Sequence, residues 1–403
     1  MKKLTSYIIL GLIVLICLLF IIEVLSFFGI FVVMFPFLGY WVKDGIITNE
    51  ISYSLFVLAF ILFFAFLAFK KCKTLLFNIS IIILLIAATE KYLVLTKKKP
   101  KAEKIIDSPG WAVKSDTLGY RPERNFKDHS KAYSGNTLLY DVHYTTDEHG
   151  LRKTPPISAD SLTKSAVFFG CSFTFGIGIN DNDVMPNIVQ KLVQNKYKVY
   201  NFGYGGYGTH QMLTLIEKNM VDSIVKYEPK IFIYALIPDH LNRILDLVPY
   251  GHHCPKYILD TNTHEVKYAG LFDDFNNLAL SKIKNSEIYG LFKKKKAEIS
   301  DVILFVKMVQ KSQTLLKNKY PNSEFHVLFW DNKFDKIGSL MLKELKNTNI
   351  STHIISEIVP DYYRSTRQYC VKFPYEFHPN GKINRKIAAY LVNNVLIKKD
   401  TLQ

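Results

Sequence analysis

The chain has 403 residues, 49% of them hydrophobic, with 51 Lys and Arg against 35 Asp and Glu. That is too long for one small core and leaves room for a membrane part plus an α/β domain of about 250 to 300 residues. The net charge of +16 does not mark a nucleic-acid binder: seven Lys against four acids in residues 1–96 leave +3 there and +13 on the rest, much of it in KKKPKAEK (97–104) and KKKK (293–296), with no interleaved aromatics or helix-turn-helix pattern.

Such runs read as a solvated tail beside a membrane and a charged helix face, with attraction to anionic lipid or an acidic polysaccharide as the alternative. Apolar runs fill the N-terminal quarter at Leu4–Phe37, Ile51–Phe69 and Leu75–Ala88, whereas nothing after Lys97 stays apolar for the roughly 18 residues a bilayer span needs. The first run, broken only by Glu23, is too long for one span of about 20 residues and too short for two spans and a turn. It reads as one span with an amphipathic extension, giving three spans in an anchor over residues 1–96. No small-x-small site follows a short apolar core, which argues against a cleaved signal peptide.

Lys2 and Lys3 share a side with Lys70, Lys71 and Lys73 if the N-terminus is cytoplasmic. Three spans then make a multi-pass protein of the cytoplasmic membrane with its C-terminal domain outside the cytoplasm. Lys97, Lys98, Lys99, Lys101 and Lys104 oppose this, although charges leading into a long domain count for less.

Residues 97–163 form a juxtamembrane lead-in, rich in turns, Lys and Pro, that includes LGYRPERN (118–125) and YTTDEHGLRKTPP (144–156). They show no helical period and read as strands and loops wrapped on the domain that follows. In that domain, residues 164–403, short apolar runs alternate with longer helical ones. Strands are expected at SAVFFG (165–170), VYNFG (199–203), IFIYALI (231–237), FHVLFW (325–330) and THIIS (352–356). Helices are expected over 184–195, 209–224, 278–318, 334–346 and 381–397. This alternation predicts an α/β fold with a five-stranded parallel sheet covered on both faces. The segment YILDTNTHEVKYAG (257–270) alternates like a hairpin and is expected over the sheet's C-terminal edge, where the active sites of such sheets are built.

Four polar clusters fall at that edge in chain order. Ser172 leaves the first strand in Gly-Cys-Ser-Phe, where a hydroxyl can be presented beside its own backbone N–H, although a Ser in such a turn also serves as a helix cap. NFGYGGYGTHQ (201–211) brings Gly203, Gly205, Gly206 and Gly208 to the end of the second strand. IPDHLNR (237–243) concentrates Asp239, His240, Asn242 and Arg243 after the third. FPYEFHPNG (373–381) puts Glu376 two residues before His378, just ahead of the closing helix. A His there can take a serine proton if a carboxylate holds its tautomer.

This order of residues resembles the SGNH/GDSL hydrolase superfamily over about residues 144–397. It particularly resembles its membrane-anchored bacterial members related to O-acyl esterases and acyltransferases of cell-surface glycans. The resemblance implies a flavodoxin-like three-layer α/β/α sandwich with Ser172 as nucleophile, His378 as general base and Glu376 orienting it. It also implies that Gly206 and Ser172 supply oxyanion N–H groups. Three departures stand out: Cys171 replaces the usual Asp before the nucleophile, the triad acid is Glu, and Pro238-Asp239 stands where the family has Asn-Asp. Proline cannot donate, so Asn242 or His240 is expected to supply the third oxyanion donor, with Asp239 and Arg243 beside the substrate.

The implied function is a serine esterase or O-acetyl transferase acting on exported carbohydrate. The alternatives are a catalytically weak carbohydrate-binding or assembly component of an envelope system, with partner proteins there, and a lipid esterase. No cofactor is implied, and the 11 His lack metal-ligand spacing. Of the five Cys, Cys254 and Cys370 are available to pair outside the cytoplasm.

Overall fold

Residues 137–145, TLLYDVHYT, alternate buried and exposed side chains over much of their length, the pattern of a strand with one covered face. The computed structural model of the protein describes residues 73–96, 104–107, 112–157, 164–248, 250–251, 253–272, 286–292, 296–332 and 335–397, with a few positions between 58 and 65. It divides into two units, Met1–Pro100 with Asp273–Lys294, and Lys101–Phe272 with Lys295–Gln403.

In the first unit, helix α1 (Lys73–Thr96) contains the one stretch among the described residues, Thr74–Val94, long and apolar enough to cross a membrane. The expectation of several spans is supported at this helix alone; the spans read in 4–37 and 51–69 lie outside the described residues, apart from those few positions. Near the C-terminal end of α1 the buried Glu90 carboxylate accepts from the N–H groups of Glu287 (2.7 Å) and Ile288 (2.9 Å) and from Ser286 Oγ (2.8 Å). It thereby caps the short helix Glu287–Phe292, whose first N–H groups have no intrahelical acceptor.

The second unit opens with five strands. Strands β1 (Lys104–Asp107), β4 (Lys127–Ser134) and β5 (Thr137–Thr145) form an antiparallel sheet in the order β1-β4-β5. Between them in sequence, β2 (Ala112–Ser115) and β3 (Gly119–Pro122) make a hairpin. Tyr140, Val142 and Tyr144 of β5 are buried in the same core as the main sheet.

That sheet contains β6 (Lys164–Gly170), β7 (Lys198–Asn201), β8 (Glu228–Leu236), β11 (Glu324–Phe329) and β12 (Ser351–Ile354), every adjacent pair parallel, in the order β12-β11-β8-β6-β7. The five expected strands are all present, and the fold is α/β. Successive residues of β6 point to opposite faces, and both faces are buried. Ala166 and Phe168 join a core with helices α3 (Met185–Val193) and α8 (Gly381–Leu391), whereas Val167 and Phe169 join another with α4 (Thr209–Glu217), α6 (Ile299–Lys319) and α7 (Lys336–Lys346). Two four-residue helices, α2 (Ser172–Phe175) and α5 (His240–Arg243), sit at the exits of β6 and β8.

Within the helix expected over 278–318, the described residues form the short helix Glu287–Phe292 and α6, which begins at Ile299, where Glu298 donates its N–H to Asp301 Oδ2 (2.7 Å) in a capping box; residues 278–285 and 293–295 lie outside the described residues. The hairpin in 257–270 forms from β9 (Pro255–Leu259) and β10 (Val266–Leu271), but it packs on α4 and α6 rather than over the sheet edge. Its Tyr257 hydroxyl bonds Glu217 Oε2 (2.8 Å) and Thr214 Oγ1 (2.9 Å), and Lys311 Nζ donates to Val266 O (2.8 Å). The buried Tyr257 side chain of the hairpin and the half-buried Lys311 of α6 hold it there. Cys254 and Cys370, read as a possible pair, are separate buried thiols.

Candidate active site

An extended chain places residues i and i+2 on the same side, so Glu376 and His378 of β14 (Glu376–Pro379) share a face. This strand pairs with β13 (Cys370–Lys372). Glu376 Oε1 accepts from His378 Nδ1 and also from the His378 backbone N–H (3.3 Å). Glu376 is 4% exposed, so its carboxylate faces the ring rather than bulk water. The edge of the Phe173 ring meets His378 at 5.4 Å between centroids, limiting how far the imidazole can turn. Asn380, directly after β14, accepts from Lys382 N (3.0 Å) to cap α8 and donates Nδ2 to Gln368 O (2.9 Å) and Cys370 O (3.0 Å). The pair therefore stands on a backbone fixed at both ends.

Ser172 is the first residue of α2, and its buried neighbour Cys171 provides no side-chain cap. The Ser172 N–H thus has no acceptor within the helix. Its hydroxyl makes no hydrogen bond to any described residue, His378 included, although Ser172 and His378 line one cavity of about 570 Å³. Catalytic hydrogen bonds are often long until substrate is bound.

Gly206 lies on the same wall. Its φ of +78° is a left-handed conformation, and a Cβ there would sit 2.2 Å from Tyr120 Oη and 2.9 Å from the Tyr250 ring, so only glycine fits. The Ser172 and Gly206 loops are tied together by Asn201, whose Nδ2 donates to Thr174 O (2.9 Å) while its Oδ1 accepts from Gly203 N (3.0 Å).

The loop after β8 divides its residues between different surroundings. Arg243 lines the cavity and is held by Asp239 Oδ2 (3.0 Å) and Tyr207 O (2.6 Å). Asn242 donates Nδ2 to Asp239 Oδ1 (3.0 Å) and lies, with Pro238 and Asp239, on a different cavity of about 1080 Å³ that touches neither Ser172 nor His378. His240 is fully buried, its Nδ1 2.6 Å from the Tyr234 hydroxyl, and burial beside Arg243 and His210 holds the ring well below its usual pKa, hence neutral. The structure thus brings Ser172, His378, Glu376, Gly206 and Arg243 to one place and sets Asn242, His240 and Asp239 apart from the cavity.

Tyr120, Tyr140, Tyr204 and Tyr250 line much of the remaining wall. Burial raises the pKa of each, so all four present O–H groups at neutral pH. Tyr120 and Tyr140 come from the lead-in strands, where sequence reading looked for no site residue; an unusual density of tyrosine is the only trace they leave.

A third lead-in residue, Arg152, is fully buried beneath the Ser172 loop. Its Nε donates to Asp181 Oδ1 (2.6 Å), Nη1 to the carbonyls of Phe175 (3.3 Å) and Gly176 (3.4 Å), and Nη2 to Ile179 O (3.1 Å).

No protein-family model matches the sequence, and no curated protein matches it. Solved structures with a similar α/β fold include a member of the lipolytic protein G-D-S-L family from Veillonella parvula, at 13% identity and a TM-score of 0.35 over 58% of this chain and 100% of that one. An acetyl xylan esterase from Butyrivibrio proteoclasticus is 11% identical at a TM-score of 0.32, over 60% of this chain and 66% of that one. A carbohydrate acetylesterase family member from Sinorhizobium meliloti is 10% identical at 0.33, over 57% and 97%.

Proposed function

We propose that the protein is a serine-dependent ester hydrolase or O-acyl transferase acting on acylated carbohydrate outside the cytoplasm. The observation that carries this reading is the buried Glu376 carboxylate on His378, with the His378 ring and Ser172 on one cavity wall at the C-terminal edge of a parallel sheet.

His378 Nε2 takes the Ser172 proton as Oγ bonds to the ester carbonyl carbon, and the carbonyl π pair moves onto oxygen. The N–H groups of Ser172 and Gly206 stabilise that oxyanion. Its collapse breaks the bond to the alcohol, which leaves with the proton from His378. Water or a sugar hydroxyl then attacks the acyl-enzyme by the same steps in reverse order. Glu376 stabilises the imidazolium and fixes Nδ1 as its protonated nitrogen.

The tyrosine-lined cavity supports a carbohydrate substrate, since phenol rings pack on the apolar faces of sugar rings while their hydroxyls meet sugar oxygens. The Lys distribution around the apolar runs supports the extracytoplasmic location. One specific observation favours a second reading, a weakly catalytic binding component: Pro238 has neither an N–H nor a side-chain donor where the resembled family has Asn.

Hydrolysis of p-nitrophenyl acetate and release of acetate from acetylated xylan test the proposal. Wild-type protein is expected to hydrolyse at least the first, and Ser172→Ala to lose that activity. Equal rates for the two proteins would overturn it.

A further inference from the structure

We propose that the hydroxyl of Tyr120, delivered by the β2–β3 hairpin, is the third oxyanion donor, taking the place left by Pro238. The inference rests on the reading of Ser172 as nucleophile.

Three observations lead to Tyr120. First, its Oη lies 2.2 Å from where a Cβ on Gly206 would be, and so against one of the two residues assigned to the oxyanion site. Secondly, that oxygen is buried and has no hydrogen-bond partner among the described residues, although Tyr120 lines the cavity shared by Ser172 and His378. A buried hydroxyl left unpaired is costly, and a catalytic role is one of the reasons a native protein retains such a group. Thirdly, the ring is held from behind rather than free to swing. The Tyr120 carbonyl accepts from the Tyr207 hydroxyl (3.0 Å), and the ring packs on Tyr204 (5.9 Å) and Tyr207 (5.7 Å).

The residue before it sets the approach. Gly119 has φ +83°, and a Cβ there would lie 2.6 Å from His253 O, so the hairpin runs close against the 253–254 backbone. Of the donors expected in the loop after β8, Asn242 is bonded to Asp239 on a different cavity, and His240 is buried with its Nδ1 on Tyr234 and does not line this one; Arg243 lines it but is held in place by Asp239 and Tyr207. A phenol serves an oxyanion only while protonated, and burial keeps Tyr120 so by raising its pKa well above the usual value.

In chemical terms the Tyr120 O–H donates to the carbonyl oxygen as it gains the electron pair. The proton stays on Tyr120, and no bond to it breaks. The contact strengthens as charge develops, so it acts on turnover more than on substrate binding.

Tyr120→Phe removes one oxygen and retains the ring that packs on Tyr204 and Tyr207. For p-nitrophenyl acetate the variant is expected to lose about 10- to 1000-fold in kcat, with KM changed less than about twofold. The inhibition constant for phenylboronic acid, which forms a tetrahedral adduct on a serine, should rise with it, and thermal unfolding in detergent should stay within a few degrees of wild type. Turnover within twofold of wild type, or a rise in KM alone, would overturn the assignment. If wild-type protein neither hydrolyses the ester nor binds the boronate, the Ser172 reading itself fails, a result separable from an active wild type with an equally active Tyr120→Phe.

Discussion

The Glu376 carboxylate, itself nearly excluded from solvent, accepts from Nδ1 of His378 two residues along the same strand. In that arrangement Nε2 is left as the basic nitrogen, and it is the nitrogen available to the cavity that Ser172 shares. His378→Ala is expected to lower kcat by about 1000-fold or more, since it removes the proton acceptor, while the cap formed by Asn380 keeps α8 in place. Glu376→Gln should cost less: its amide oxygen can still accept from Nδ1 but does not stabilise the imidazolium. Steady-state kinetics on p-nitrophenyl acetate with unfolding curves for each variant check this, and equal losses accompanied by unfolding would make the pair structural.

Arg152 is a buried cation whose ion pair and carbonyl contacts hold the turn after Ser172. Its stacking on Tyr144 (4.4 Å) and Phe175 (4.6 Å) adds packing that a smaller side chain would lose. Arg152→Met is expected to destabilise the second unit by about 3 kcal/mol, because it removes the cation from Asp181 and leaves several buried carbonyls without their donor. Denaturant titration measures this, and a change under 1 kcal/mol, roughly what an exposed pair is worth, would contradict it.

A pair of adjacent histidines makes the fold acid-sensitive. His326 Nδ1 on β11 lies 3.0 Å from His353 Nε2 on β12, His353 Nδ1 reaches the Tyr390 hydroxyl at 3.0 Å, and His326 Nε2 lies 3.2 Å from Glu324. Burial lowers each ring to about 4, and for His353 the neighbouring His326 adds to the effect. Above about pH 6.5 both are neutral whether folded or unfolded. Below it the unfolded chain binds protons that the folded rings refuse, so stability falls as pH drops towards about 4, by at most about 1.4 kcal/mol per pH unit for each ring and less for the partly exposed His353. His353→Gln should flatten the fall of the unfolding midpoint between pH 6.5 and 4; an unchanged slope would assign the sensitivity to other groups.

The compartment has its own test. A reporter active only in the cytoplasm, fused after Gln403, is expected to stay dark, whereas a periplasmic or surface reporter at the same site gives signal. The opposite pair of results would place the cavity on the cytoplasmic side and remove exported carbohydrate as its substrate.

The sheet was legible because uncharged runs such as VFFG and IFIYALI need cover on both faces, and their alternation with helical segments points to a parallel sheet between helical layers. The candidate site was legible where chemistry and strand ends coincide, as at Ser172 and Glu376-x-His378. It was not legible in the lead-in. Tyr120, Tyr140 and Arg152 acquire their places through non-local packing of β3, β5 and the loop after β5 on the sheet, and no periodicity records that contact. Nor did spacing reveal which residue of IPDHLNR faces the cavity. One turn of helix carries Arg243 towards Ser172 and turns His240 inwards to Tyr234, a difference set by tertiary burial.

Activation of Ser172 as a nucleophile by His378 is tested by reaction of the full-length protein in detergent with a fluorophosphonate, followed by mass spectrometry of its peptides. One adduct per chain on Ser172 is expected, with none in Ser172→Ala and labelling slowed by at least about 100-fold in His378→Ala, the scale of general-base assistance. Folded wild-type protein that remains unlabelled, or that carries the adduct on another residue, would contradict it.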